Sequence, residues 1–328
     1  MNFYRIFQRA FDLTGTYRAL WLFGVIFAMT SLHGGGGNGG GGGGGGSSSL
    51  GSPAGLASKM ALALSDPTPQ SMAVVAALIG GLALLLAVIF TIARVVSDTA
   101  MIRMVDGAEE TGQRAGVAQG FRLGWSWAAW RIFLIDLLLG AAAIAVILFL
   151  LVFALAPLLF WLTQSDALKV IGTILSAVLV PPVIMIIIAG LIALLLLKEF
   201  FHRASAIEDH GVIAAMRRGW QVARMRIGDT LLMGLVLFSI SLVVALVMLP
   251  LFLLVAGIGA LAAGVPGLIA ALISALFTGG VVPWIVGVVV GVPIFILIVT
   301  IPMLFASGLV QVFSSSAWTL AYRELINP

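Results

Sequence analysis

No cysteine occurs among the 328 residues, which excludes disulfides, zinc–thiolate sites and iron–sulfur clusters held by thiolates. Charge is nearly as scarce. Only 9% of residues are Asp, Glu, Lys or Arg, against roughly 25% in a soluble domain, so no water-facing surface can enclose a core of this size. The three histidines, His33, His202 and His210, are scattered and leave little for a metal site. No HExxH, GxSxG, phosphate-binding loop or dinucleotide fingerprint appears, so no catalytic, cofactor-binding or metal site is expected. What is present instead is apolar: 61% of the chain is hydrophobic and the mean hydropathy is +1.18. Most residues must face lipid or one another, and the expected class is an all-α integral membrane protein in a single domain, 1–328.

Runs long enough to cross a bilayer, about 20 residues, lie at 72–93, 132–162, 170–197, 230–260 and 284–313. A shorter run, Ala19 to Leu32, covers only about 21 Å as a helix, less than the ~30 Å hydrocarbon core. It spans if the helix begins near Thr14 or if the bilayer thins locally. A signal peptide is the competing reading of 1–32; Asp12 and the missing small-residue cleavage site stand against it. Six spans are therefore expected. Residues 261–283, Gly- and Ala-rich with a short apolar stretch at Leu268–Phe277, are too short to cross and read as a re-entrant or interfacial outer segment.

Six spans put both termini on one side of the membrane. Fifteen of the seventeen basic residues fall on that side, leaving only Lys59 and Lys169 on the other. This is a strong positive-inside bias, so both termini are expected in the cytoplasm.

The sequence also repeats. Residues 116–132 (GVAQGFRLGWSWAAWRI) and 211–227 (GVIAAMRRGWQVARMRI) agree at eight of seventeen positions, among them Arg122/Arg217, Gly124/Gly219, Trp125/Trp220 and Arg131/Arg226. Each copy sits between two long apolar runs, giving units 72–162 and 170–260. In the second copy Val212, Met216, Gly219, Trp220, Ala223 and Ile227 share one helical face. Residues 1–18 carry a looser version: Phe3, Ile6, Phe7, Ala10 and Phe11. These segments are expected to be cytoplasmic amphipathic helices with apolar faces in the headgroup boundary and arginines near phosphate. Trp125 and Trp220 suit that depth, and a glycine before each lets a neighbouring helix or the ring pack close. Span six (284–313), the C-terminus to 328, the N-terminal helix and span one would make a third, open unit, so the order is pseudo-threefold.

The candidate contacts for anionic lipid or a partner are Arg122, Trp125, Arg131, Arg217, Arg218, Trp220, Arg224 and Arg226. Asp136, about one turn into its span and near Arg131, is the intramembrane polar candidate; its plainer reading is an interfacial carboxylate paired with an arginine or near a helix start. Residues 33–71 form a long outer loop containing Gly34–Gly37, Asn38 and Gly39–Gly46. This glycine tract reads as a solvated linker or as packed extended glycine strands.

The short first run, the Gly-rich outer loop, the GW-centred segments and the closing WTLAYREL resemble uncharacterised bacterial multi-pass proteins. These are grouped with the membrane domain found beside glycerophosphoryl diester phosphodiesterases. The resemblance implies a six-helix module of the bacterial inner membrane. Without the soluble catalytic domain it carries over no catalytic residue. The expected function is a non-enzymatic scaffold or accessory subunit that binds anionic lipid or a protein partner, as a homo-oligomer or in a larger complex, with no nucleic acid. The alternative is a transporter or flippase-like carrier of an apolar or lipid substrate.

Overall fold

The computed structural model describes residues 2–33 and 69–326, all helices and short turns, with no strand among them. The glycine tract and most of the 33–71 loop lie outside the described residues.

Helix α1 (Phe3–Thr16) opens on Asn2, whose side chain accepts from the Arg5 amide, and buries Ile6, Ala10 and Leu13 along one stripe. The chain then turns a corner at Tyr17 into α2 (Arg18–His33), which leaves at 93°. Side chains hold that corner by taking up orphan backbone carbonyls. Trp21 Nε1 donates to Thr14 O at 2.6 Å and Arg114 to Thr16 O at 3.3 Å, while the Tyr17 hydroxyl ties the corner to the 112–116 connection by donating to Ala115 O at 2.9 Å. A helix end whose carbonyls are satisfied this way can stop sharply. The first apolar helix thus starts at Arg18 rather than near Thr14, and its 16 residues give only about 24 Å.

The remaining elements are α3 (Pro69–Thr111), α4 (Val117–Gly124), α5 (Trp127–Leu155) with a tight helical turn at Ala156–Leu162, α6 (Asp166–Ala206), α7 (Val212–Met225), α8 (Ile227–Ala275) and α9 (Val282–Ile326). Five helices are long and apolar enough to cross a membrane, or six if the bent α1–α2 pair counts as one span. This is the architecture of a multi-pass membrane protein. The five overrun the bilayer: α8, with 49 residues, measures about 74 Å against a core of ~30 Å.

Burial follows that overrun. In the most apolar window of each long helix no more than 11% of residues are buried. The packed core lies instead at the end where the charges are. There α1, α4 and α7 join the terminal turns of α3, α6 and α9, with buried Met101, Met104, Phe200, Phe201, Trp318 and Tyr322 between them. Both described ends of the chain are at this end, since the Asn2 amide donates to Glu324 Oε1 at 2.7 Å. Leaving α1, the chain packs α2 on α9, where the backbones of Gly24 and Gly308 touch.

The segment 261–283, expected to be re-entrant or interfacial, mostly prolongs α8 without a break to Ala275 before the turn into α9. The reason is a small-residue stripe. Gly259, Ala263, Gly267 and Ala271, four residues apart, are all buried. They face Gly287, Gly291 and Val299 of α9, and a Cβ on Gly267 would stand 2.8 Å from Gly287 O. Close backbone approach of this kind favours a continuous helical hairpin. Pro250, Pro266, Pro293 and Pro302 sit inside its two helices without ending them.

Candidate functional site at the charged helix ends

The two copies of the repeated motif fold differently. In the first, α4 stops at Gly124, and Trp125 and Ser126 leave helical geometry before α5 begins. In the second, α7 runs through Trp220 to Met225 and breaks at Arg226. The glycine keeps one role in both. A Cβ on Gly124 would lie 2.5 Å from Val96 O of α3, and one on Gly219 would lie 2.6 Å from Phe201 Cδ1 of α6. Each amphipathic helix therefore folds back on the helix before it. The apolar stripe of α7 divides accordingly. Gly219 and Ala223 are buried, with Val212 and Met216 packed partly buried against the protein's own core, whereas Trp220 and Ile227 are exposed.

Half of the motif's six arginines find acids. Arg131 donates to Asp209 O at 2.5 Å, and its guanidinium lies 3.6 Å from the Asp209 carboxylate, which also takes Arg103 at 2.6 Å. Asp209 holds this double contact with a left-handed backbone, φ 52°, a region that Asp tolerates better than most residues. Arg218 bonds Glu208 at 3.0 Å, and Arg226 stands 3.8 Å from Asp229. Arg122, Arg217 and Arg224 are exposed and have no acidic partner among the described residues. Trp125 and Trp220 are exposed beside them, at 72% and 51%.

Asp136 does not pair with Arg131. It belongs to a cluster in which α6 reaches both α3 and α5. His202 Nδ1 lies 2.8 Å from Asp98 Oδ2, and its Nε2 lies 2.8 Å from Asp136 Oδ1. Lys198, one turn earlier on α6, stands 2.9 Å from Asp136. A neutral imidazole donates through one nitrogen only. Making both bonds needs one proton more than a neutral ring and two carboxylates hold, wherever that proton resides. The trio then carries one net negative charge, and the Lys198 ammonium balances it. Buried charges persist when paired in this way. Both ring nitrogens are occupied, so His202 has no lone pair to offer a metal, and no metal-binding cluster occurs among the described residues.

The same stretch of α6 also grips α9. Arg203, its side chain only 2% exposed, bonds Glu199 at 2.6 Å and donates to Ser315 O at 3.2 Å. Arg323 pairs with Asp106 of α3, and the Tyr322 hydroxyl donates to Glu208 at 2.5 Å. Arg9 of α1 meets Glu109 at 2.7 Å. These contacts tie α1, α3, α5, α6 and α9 together at one end. Asp98, Lys198 and His202 were not among the expected site residues. Their sequence signal is the four-residue spacing of Lys198 and His202, which puts both on one face of α6.

A family model matches residues 13–320 of this chain. The chain belongs to DUF7544, a family of unknown function. No curated protein and no solved structure matches it. The DUF7544 match extends from the last turn of α1 nearly to the end of α9, so it takes in every long helix and the His202 cluster but not Arg9, Tyr322 or Arg323.

Proposed function

We propose that this protein is a non-enzymatic scaffold or accessory subunit of the bacterial inner membrane, with both termini and the charged helix ends on the cytoplasmic side. Its working surface is a lipid- or partner-binding rim on that side. The observation that carries the reading is the exposed, acid-free trio Arg122, Arg217 and Arg224 beside exposed Trp125 and Trp220. Indole favours the headgroup level, and each basic residue near an anionic leaflet contributes about 1 kcal/mol. The paired arginines serve the fold; the unpaired ones remain for phosphate. The repeat is read as a duplicated span–amphipathic helix–span unit, with α1, α2 and α9 as the open third unit.

The test is lipid analysis of the protein extracted in mild detergent. Wild-type protein is expected to retain anionic phospholipid above its share in the membrane. The triple variant Arg122→Glu, Arg217→Glu, Arg224→Glu should lose that enrichment at least tenfold, since three such contacts together are worth roughly 3 kcal/mol. Unchanged enrichment would refute the reading. The carrier of an apolar or lipid substrate is a second reading, supported by a lipid-accessible groove between α3 and α5. It predicts translocation of labelled lipid by the reconstituted protein; the scaffold reading predicts none.

A further inference from the structure

The groove between α3 and α5 has a volume of about 800 Å³, within the 300–1,000 Å³ range of ligand sites. One wall is the apolar face of α3 from Leu84 to Val96. The other is Trp125, Trp127, Trp130 and Phe133, with Trp130 and Phe133 stacked at 5.4 Å. The three indoles are more than half exposed. At that rim lies the N-terminus of α5, a helix of 29 residues, whose dipole favours an anion. Its capping residue, Ser126, lines the groove but makes no side-chain cap. The Ser126 Oγ is buried and has no hydrogen-bond partner among the described residues. Arg122, one turn before Trp125, is exposed and without an acid. An apolar trough thus ends at an uncapped helix start, with a buried unsatisfied hydroxyl beneath it and an exposed cation three residues before Trp125.

We infer that this groove is a specific site for one membrane glycerophospholipid. An acyl chain lies along α3, and the phosphodiester sits at the start of α5 beside Ser126 and Arg122. The inference rests on the lipid-binding reading above and deepens it by assigning one seat. The occupant follows from position and chemistry. The walls belong to helices long and apolar enough to cross a membrane, and phosphate is the anion that lipid presents next to acyl chains.

The test uses the full chain, purified in detergent, stripped of lipid and titrated with phosphatidylglycerol carrying dibrominated acyl chains, which quench indole fluorescence on contact. The expected result is saturable quenching at about one lipid per chain, lost in the double variant Ala87→Phe, Thr91→Phe. Both positions line the groove and are exposed, so the added rings occupy the groove without entering the core. Retained helical circular dichroism and an unchanged melting temperature confirm that the variant folds; if it does not fold, Val88→Phe, another exposed wall position, takes its place. Quenching that rises without saturation, or survives the filled groove, would overturn the inference and mark the contact as bulk lipid. Dibrominated phosphatidylcholine separates the two readings. Equal saturable binding of both lipids keeps the groove and removes the anionic preference. Anionic enrichment that persists in the filled variant keeps the arginine rim and removes the seat.

Discussion

His202 joins three long helices through one side chain. It meets a carboxylate on each ring nitrogen, one from α3 and one from α5, at 2.8 Å each. His202→Ala removes both bonds and leaves Asp98 and Asp136 facing a cavity with Lys198 alone to balance them. Removing one partner from a buried ionic group typically costs about 3–5 kcal/mol. The melting temperature of the detergent-purified variant should fall accordingly, and adding Asp98→Asn should restore part of the loss, since one orphaned charge is then gone. A His202→Ala protein as stable as wild type would show that the cluster does not hold these helices together. The cluster could not be read from the sequence because its members lie 38 and 66 residues from one another along the chain: Asp98 to Asp136, and Asp136 to His202. Only the Lys198/His202 spacing is local. Asp136 was legible as an unusual residue. Its partner was not, because Arg131 stands nearer in sequence while the fold sends it to Asp209.

At the scale of the element, packing is set by glycine. Gly124, Gly219, Gly24 and Gly308 each sit where a side chain would meet a neighbouring helix. Gly219→Val should destabilise by about 1–3 kcal/mol through overpacking against Phe200 and Phe201. Gly228→Ala, with nothing within 4 Å of its Cβ, should be neutral or stabilise by up to about 1 kcal/mol. Equal responses at the two positions, measured by thermal unfolding, would contradict close packing at Gly219. The steric role of the repeated glycines was legible because a glycine within a helical pattern has few other uses. The destination of the stripe was not: Val212, Met216 and Ala223 suit a headgroup boundary and a protein core equally, and only the position of α6 decides. The short apolar stretch of 261–283 reads as re-entrant or interfacial in sequence; that the helix runs on to Ala275 depends on Gly287 and Gly291 matching its small residues across α9.

For the whole molecule, the distribution of burial is the main feature. The long helices expose their apolar windows, while their terminal turns and three amphipathic helices form the packed, ion-paired end. The helical class and the five long apolar helices were legible from the apolar runs, because a bilayer imposes a minimum length on every crossing. The depth of α2 was not, because its 16 residues sit below that minimum and its sharp corner depends on Trp21 and Arg114 reaching back to α1. The account as a whole requires both repeated motifs to lie on one face of the membrane, and the lack of cysteine makes this directly measurable. Arg122→Cys and Arg217→Cys would each be the only thiol in the chain. Treated with a membrane-impermeant maleimide, both are predicted to react in inside-out vesicles and neither in right-side-out vesicles. Labelling of the two positions from opposite sides would contradict the account.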